Sequence, residues 1–237
     1  MCAGVGRSQM THPPVVQVKW SKAWRIIPSR FPPIDVFETL GNSDLLAELE
    51  GLTNPRLREQ WGEISLVPPE RRVNGPGATF VMAPFTHPNK LGSRFSSGQY
   101  GIYYAASSME TAIAETVHHM TNYYTSTKDA PHQNQFRCLI GRIDHALHDL
   151  ISKCPEDIRN PDDYAAAQAL GKSLRDAGSD GIIYESIRNP GSENIAAFWP
   201  DVVGIPIQER HLAYNWNGRE IDKIFDYETE QWMELVA

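Results

Sequence analysis

The order of the secondary-structure elements that the sequence predicts is the feature that most constrains the fold. Strand-like and helix-like segments follow one another without the regular alternation that builds a doubly wound parallel sheet. Turns are frequent, because the chain holds 17 Gly and 17 Pro residues. We therefore expect a single compact α+β domain with many short strands and few helices.

The N-terminal part of the sequence predicts an extended segment followed by two helices. The segment VVQVKWSKAWRIIP, which contains Arg25, alternates like a strand, and the prolines of PSRFPPI end it. The stretch from Asp35 to Glu50 has helical spacing of its apolar residues. TNPRLREQWG adds a short helix with Asn54 as its cap and Pro55 at the first position. We interpret both helices as packing elements.

The middle of the sequence predicts a strand, a polar loop, a second strand and a helix. VNGPGATFVMAPFTHP is a Gly/Pro turn followed by a strand from Thr79 to Ala83, and YGIYYAA is a strand rich in aromatic and branched residues. In SSMETAIAETVHHM, Ser107 stands three residues before Glu110, which is the spacing of a capping box. A helix should begin there and carry Glu115 two turns in.

The C-terminal half predicts one long helix among strands. FRCLIGRID alternates like a strand, and NPDDYAAAQALGKSLRDAGSDG predicts a helix that begins at Asn160 and Pro161 and ends at Gly178. GIIYESIR and NIAAFWP follow as strands. Asn217 and Gly218 then predict a tight hairpin turn within LAYNWNGREIDKIF.

Length, charge and cysteine content limit the class of protein. The 237 residues suffice for one domain with its own core; we expect a flexible tail over residues 1–20 and the domain over residues 21–237. The net charge of −7 argues against a nucleic-acid surface. The three cysteines form no CxxC pair, which disfavours a disulfide framework or a cysteine zinc site. Because no signal peptide or membrane span is visible, we expect a cytoplasmic protein.

Common catalytic motifs are missing from the sequence. It has no GxxxxGK[ST] loop, no GxGxxG after a strand, no GxSxG elbow and no HExxH. Glu115 and His119 stand one helical turn apart and could share a metal, but no further His or Asp at ligand spacing supports them. We interpret them, with His118, as a partly exposed helix face and expect no metal.

Charge placement suggests a different kind of site. Arg25 and Arg94 each stand next to an aromatic residue, and Glu115 lies on a helix whose other positions are small or apolar. If these segments share one cleft, two guanidiniums could hold a phosphate-bearing ligand while the carboxylate stabilises a developing cation. The N-glycosidic bond of NAD, which breaks through an oxocarbenium-like state, suits such a cleft. From the residues alone, this site is a hypothesis. The simpler interpretation is that Arg25, Arg94 and Glu115 are solvated surface charges.

Three blocks of the sequence, in order, resemble the RES domain, a toxin family named for an arginine, a glutamate and a serine. The blocks are WRIIPSRFPP, GSRFSSGQYGIYYAASSMETAIAETVHH and GSDGIIYESIRNPGSENIAAF. They extend from about Trp24 to about Phe198, and the densest match runs from Gly92 to His119.

The resemblance implies a fold similar to ADP-ribosyltransferase and diphtheria-toxin catalytic domains, with NAD as substrate and no separate cofactor. Family members hydrolyse or phosphorolyse the nicotinamide bond of NAD or transfer ADP-ribose to a protein. They are usually toxins that an Xre-type helix-turn-helix antitoxin neutralises. The alternatives are a mono-ADP-ribosyltransferase, a non-catalytic module that binds an NAD-like ligand or a partner, and a housekeeping NAD-consuming enzyme. As a toxin, the protein would form a homodimer or a larger toxin–antitoxin assembly.

Carried over by motif, the family residues fall on five positions of this chain. Arg25 and Arg94 would bind the NAD phosphates, and Tyr104 would pack against the nicotinamide end, unless the register places Tyr103 there. Glu115 would stabilise the ribosyl cation and orient the attacking group, and Ser186 would hydrogen-bond the ribose or the amide.

The chain departs from the family pattern in two places. Many RES proteins have Gly-Gly-Arg-Trp-Asn where this chain has GSRFSS. This chain therefore lacks the Asn that would recognise the ribose. The chain also carries a helical insertion at about residues 35–84. This insertion would cover the cleft, mediate self-association or bind the antitoxin.

Overall fold

A computed structural model of the chain describes residues 12–29 and 62–235. Within these ranges eight strands form one sheet: β1 Val15–Pro28, β2 Tyr103–Ala106, β3 His132–Asp149, β4 Gly181–Glu185, β5 Glu193–Ala197, β6 Ile207–Trp216, β7 Ile221–Asp226 and β8 Gln231–Glu234. The α-helices there are α1 Ala78–Thr86, α2 Met109–Thr127, α3 Glu156–Arg159 and α4 Ala165–Asp176. Short 3-10 helices cover Ile64–Leu66, Pro69–Arg71 and Pro200–Val202. The predicted α+β class, with one large sheet and few helices, is confirmed.

The sheet curves so that its first strand pairs twice. The strand order is β1-β2-β5-β4-β3-β6-β7-β8, and β1 also pairs with β3, which closes a ring of five strands. Only β3 and β4 are parallel; the other pairs within the described residues are antiparallel. The predicted hairpin is present between β6 and β7, where the Asn217 side chain accepts hydrogen bonds from the amides of Arg219 and Glu220. Gly218 adopts a φ of +97° there.

Three groups of apolar side chains hold the helices against the sheet. Helix α1 contributes Val81, Met82 and Phe85 to a core shared with β1, β2 and β5. Helix α2 packs Ala112 and Ile113 with residues of β3, β6 and β7. Helix α4 buries its apolar side against β4 and β5. The ends of β1, β2, β4 and β5 and one side of α2 are thereby brought together.

The predicted strand from Thr79 to Ala83 is wrong, because these residues belong to helix α1. The buried residues of α1 are Ala78, Val81, Met82, Phe85 and Thr86, which recur at intervals of three and four and so line one helix face. Gly77, with a φ of +85°, precedes the first turn. A short apolar run does not distinguish helix from strand, and here packing against the sheet selects the helix.

Two predicted helix starts are displaced. Helix α2 is capped by Ser108, whose hydroxyl accepts from the Thr111 amide at 3.2 Å, and not by Ser107, whose side chain instead accepts from the Glu193 amide beside β5. Helix α4 begins at Ala165, because the side chain of Asn160 first closes a turn with the amides of Asp162 and Asp163. The predicted end is confirmed, since Gly178 has a φ of +81° just beyond the helix.

Several N-terminal predictions fall partly or wholly outside the described residues. The extended segment is confirmed as β1, which includes residues 15–20 of the region that we assigned to a flexible tail. The rest of that tail, apart from residues 12–14, lies outside the described ranges, as do the predicted helices at 35–50 and 53–61. Of the expected insertion, residues 62–84 comprise two 3-10 helices and most of α1.

Candidate active site

One row of paired residues forms the floor of the candidate site. Trp24 of β1 pairs with Ala106 of β2, Ala106 with Asn194 of β5, and Asn194 with Tyr184 of β4. All four residues line the same cavity. Because side chains alternate between the two faces of a strand, Tyr104 shares the cavity face with Ala106, whereas Tyr103 points to the opposite face.

Helix α2 and the loop before β2 complete a cavity of about 260 Å³. Its lining residues are Trp24, Arg25, Ile26, Ser93, Arg94, Tyr104, Ala105, Ala106, Ala112, Glu115, Thr116, His119, Tyr164, Tyr184 and Asn194. Four of the five residues predicted for the site, with Tyr104 as the tyrosine, thus lie in one cavity wall. The fifth, Ser186, contacts Glu115 from behind.

Arg25 is a cation that no carboxylate neutralises within the described part of the chain. It lies 4.5 Å from the centre of the Tyr103 ring and donates from Nη1 to the carbonyl oxygen of Tyr104 at 2.8 Å. Burial lowers the pKa of the Arg25 guanidinium. Because Arg25 is half-buried and has no counter-charge among the described residues, this side of the cavity favours an anionic ligand.

Arg94 also lines the cavity and is likewise held by neutral groups. Its Nη1 donates to the carbonyl oxygens of Ile158 and Arg159 at 3.2 and 3.5 Å, at the end of α3. Its guanidinium lies 5.1 Å from the centre of the Tyr164 ring. The structure describes no carboxylate in an ion pair with Arg94. The cavity therefore holds two cations whose charge remains available to a ligand.

Tyr104 fixes the loop that carries Arg94. Its hydroxyl accepts from the Phe95 amide at 3.2 Å and shares a hydrogen bond of 2.8 Å with the Ser93 hydroxyl. Burial raises the pKa of Tyr104 to about 12, so this hydroxyl keeps its proton at neutral pH. Gln168 of α4 donates to the carbonyl oxygen of Ser93 at 3.0 Å and holds the loop from the other side.

Tyr103 occupies the core and not the cavity. It is completely buried, and its hydroxyl has no hydrogen-bond partner among the described residues. Burial raises its pKa to about 12. The sequence left open which tyrosine faces the cleft, and the structure selects Tyr104.

Glu115 is held in the cavity wall by two side chains. Ser186 donates to its Oε1 atom at 2.7 Å, and Asn194 donates through Nδ2 to the same atom at 2.8 Å. Ser186 and Asn194 are only 1% and 3% exposed, so both bonds are shielded from water. The carboxylate is thus fixed in one orientation in the wall of the cavity.

The comparisons with known proteins identify the family of the chain. The family model for the RES domain matches residues 69–217, which is more than half of the chain. The chain belongs to the RES domain family.

A curated relative and a solved structure are also similar. The chain is 33% identical over 213 residues to the uncharacterized protein y4oC of Sinorhizobium fredii, covering 86% of this chain and 87% of that protein. It is also similar to the crystal structure of the M. tuberculosis MbcT–MbcA toxin–antitoxin complex, with a TM-score of 0.45 and 11% identity over 86% of this chain and 87% of that chain.

The RES family match contains most of the candidate site. Arg94, Tyr104, Glu115 and Ser186 lie within the matched residues, whereas Arg25 precedes them. The structure brings Arg25 to the same site. Strand β1 pairs with β2 at Trp24, which places the adjacent Arg25 beside the strand that carries Tyr103 and Tyr104. In the sequence, Arg25 was assigned to the site only through the short block WRIIPSRFPP.

Sequence reasoning missed Asn194, the second donor to Glu115. Its signal was available: Asn194, Ala196 and Phe198 alternate on one face of an otherwise apolar strand, and a polar residue on such a face is unusual. Tyr164 and Tyr184 were missed because no local pattern distinguishes a cavity tyrosine from a core one. His119 lines the cavity while remaining exposed.

Two further observations concern metal and membrane. Among residues 12–29 and 62–235, no group of three or more His, Cys, Asp or Glu side chains is placed to hold a metal ion. No helix within those ranges is long and apolar enough to cross a membrane.

Proposed function

We propose that this RES protein cleaves the bond between nicotinamide and ribose in NAD. The observation that carries the proposal is the position of Glu115, a carboxylate fixed in the wall of a cavity that is also lined by Arg25 and Arg94, two cations with no carboxylate partner among the described residues. A substrate that is anionic at one end and becomes cationic at its reacting carbon is complementary to both features.

The proposed reaction needs no group beyond those in the cavity and an attacking molecule. The bond between C1′ of the ribose and the pyridine nitrogen breaks, and nicotinamide leaves with the electron pair as a neutral molecule. Positive charge then develops on the ribose, where the Glu115 carboxylate stabilises it. Water adds to C1′ and releases a proton, which yields ADP-ribose; phosphate in the place of water yields ADP-ribose 1″-phosphate.

The two arginines would bind the pyrophosphate. A guanidinium makes paired hydrogen bonds to phosphate oxygens, and its charge is strongest where no carboxylate competes. The cavity of about 260 Å³ is at the small end of the range for ligand sites, so it accommodates the nicotinamide–ribose end while the adenosine extends outward. The ring faces of Trp24, Tyr164 and Tyr184 supply the apolar wall that a nicotinamide requires.

Membership of the RES family supports the wider biological role. We propose that the protein is a toxin that depletes NAD in the cytoplasm and that a cognate antitoxin of the Xre helix-turn-helix type neutralises it. Transfer of ADP-ribose to a protein uses the same cleft with a different acceptor and is distinguished by the experiment below.

The test is release of nicotinamide from NAD by the purified protein, with and without inorganic phosphate. We expect release by the wild type and a loss of more than about 1,000-fold in Glu115→Gln, which keeps the size and hydrogen-bonding shape of the side chain but removes its charge. Glu110→Gln, on an exposed position of the same helix, is the matched control and should retain full activity. Nicotinamide release that requires an added protein acceptor would instead identify an ADP-ribosyltransferase.

A further inference from the structure

Glu115 is bound asymmetrically by its neighbours. Both hydrogen bonds that the described residues donate to it end on Oε1, at 2.7 Å from Ser186 and 2.8 Å from Asn194. No described donor reaches Oε2. One oxygen of the carboxylate is therefore anchored, and the other is available to whatever occupies the cavity.

The Ser186 hydroxyl has no remaining capacity for a substrate. It accepts from the amides of Arg188 and Asn189 at 3.2 and 3.0 Å, and it gives its single proton to Glu115. A serine hydroxyl has one proton and two acceptor sites, and here all three are used. The predicted bond from Ser186 to the ribose or the amide would require this arrangement to break.

The anchoring groups are themselves supported. Asn189, in the connection between β4 and β5, donates to the Thr111 hydroxyl at 2.9 Å and to the Ser192 hydroxyl at 3.1 Å. Thr111 lies in the first turn of α2, the helix that carries Glu115. The connection that presents Ser186 is therefore tied to the same helix as the carboxylate, which fixes their separation.

We propose that Ser186 and Asn194 are positioning residues that hold Oε1 of Glu115 and leave Oε2 to face the reacting carbon of the substrate. This inference rests on the proposed cleavage of the nicotinamide–ribose bond. It assigns a role to Asn194, and it changes the role of Ser186 from contact with the substrate to orientation of the carboxylate. The physical reason is that a catalytic group displaced by about 1 Å loses roughly 100-fold in rate.

The experiment is a comparison of kcat and KM for nicotinamide release among four variants. Ser186→Ala and Asn194→Ala each remove one donor to Oε1 without adding a charge beside Glu115. We expect kcat to fall about 100-fold in each, with KM nearly unchanged, because substrate contacts remain. Ser186→Thr keeps the hydroxyl and should recover most of kcat.

Asn215→Ala is the matched control. Asn215 of β6 donates through Nδ2 to Asp222 at 2.8 Å, which is an asparagine–carboxylate bond of equal length outside the cavity lining. It should leave kcat and KM unchanged. Thermal unfolding of each variant identifies a general loss of structure, and Ser186→Thr, which keeps the hydroxyl, gives the measurement in a variant that retains the donor to Glu115.

Three results would overturn the inference, and they are distinguishable. Unchanged kcat in Ser186→Ala and Asn194→Ala, with wild-type activity present and Glu115→Gln inactive, removes the positioning role but leaves the proposed function intact. A raised KM with unchanged kcat makes the two residues substrate contacts. A wild-type protein that releases no nicotinamide removes the proposed function and the inference with it.

Discussion

Arginines in two regions of this molecule have opposite surroundings. Between β6 and β7 and at the 3-10 helix Pro69–Arg71, arginines meet carboxylates: Arg210 binds Asp226 at 2.7 Å, and Arg71 binds Asp180 and Asp201 at 2.9 and 2.8 Å. In the cavity, the contacts of Arg25 and Arg94 within residues 12–29 and 62–235 are with carbonyl oxygens and aromatic rings. The first group contributes to the fold, while the second keeps its charge for a ligand.

The difference shows how a fold marks a binding site. A structural arginine reaches its lowest free energy when a carboxylate neutralises it, so an arginine that is buried without one must be stabilised by something else. Carbonyl oxygens hold the guanidinium in place but leave its net charge intact. The cavity of this protein is therefore prepared for an anion, although the chain as a whole carries a net charge of −7.

The largest expected effect is on a structural arginine. Arg210→Met leaves the buried carboxylate of Asp226 without its cation and should lower the free energy of unfolding by about 3 kcal/mol, measured by urea denaturation. Affinity for ADP-ribose should not change. Adding Asp226→Leu to this variant removes the unpaired charge and should restore most of the lost free energy of unfolding. A weakened affinity for ADP-ribose in either variant would contradict the distinction between arginines that stabilise the fold and arginines that bind a ligand.

A smaller effect is expected at a cavity arginine, and it should appear in binding. Arg25→Met should weaken ADP-ribose binding by about 2 kcal/mol, or roughly 30-fold, in a calorimetric titration, because charge-assisted hydrogen bonds to phosphate are lost. Arg25→Lys should not restore it, since an ammonium lacks the planar fork. Nicotinamide, which is neutral and has no phosphate, serves as the control ligand and should bind equally to all three proteins. Equal binding of ADP-ribose by wild type and Arg25→Met would remove Arg25 from the phosphate site.

The smallest effect concerns a core tyrosine next to a cavity arginine, and it should appear at alkaline pH. Tyr103 lies against Arg25, and its ionised form would neutralise that cation, yet burial raises its pKa to about 12 despite the opposing charge of Arg25. The unfolded chain ionises this tyrosine near pH 10, so stability present below pH 10 is lost as the pH rises toward 12. At pH 11 the loss from this group should be about 1 kcal/mol.

Tyr103→Phe isolates that contribution. It keeps the aromatic ring beside Arg25 and removes a hydroxyl that has no partner among the described residues, so the free energy of unfolding at pH 7 should not decrease. The difference between its denaturation curves at pH 9 and pH 11 should be smaller than that of the wild type. An identical alkaline loss in both proteins would mean that Tyr103 ionises in the folded protein near its ordinary pKa.

The sequence by itself determined the kinds of element wherever their pattern was long or chemically specific. The strand alternation of VVQVKWSKAWRIIP and FRCLIGRID, the end of α4 at Gly178 and the Asn217-Gly218 hairpin turn were all predicted from local rules. The ordered motifs also identified the RES family and the residues that share the cavity. These features depend on backbone preferences and on residue types, both of which follow directly from the sequence.

Only the tertiary structure decided which groups are paired, buried or free. It made Ala78–Thr86 a helix, placed Tyr104 in the cavity and Tyr103 in the core, and brought Asn194 to the Oε1 atom of Glu115. Each of these outcomes depends on contacts between residues far apart in the sequence, such as Glu115 with Ser186 and with Asn194. The chemistry proposed for the cavity follows from those contacts, because they fix one carboxylate and leave two arginines without a counter-charge in the described part of the chain.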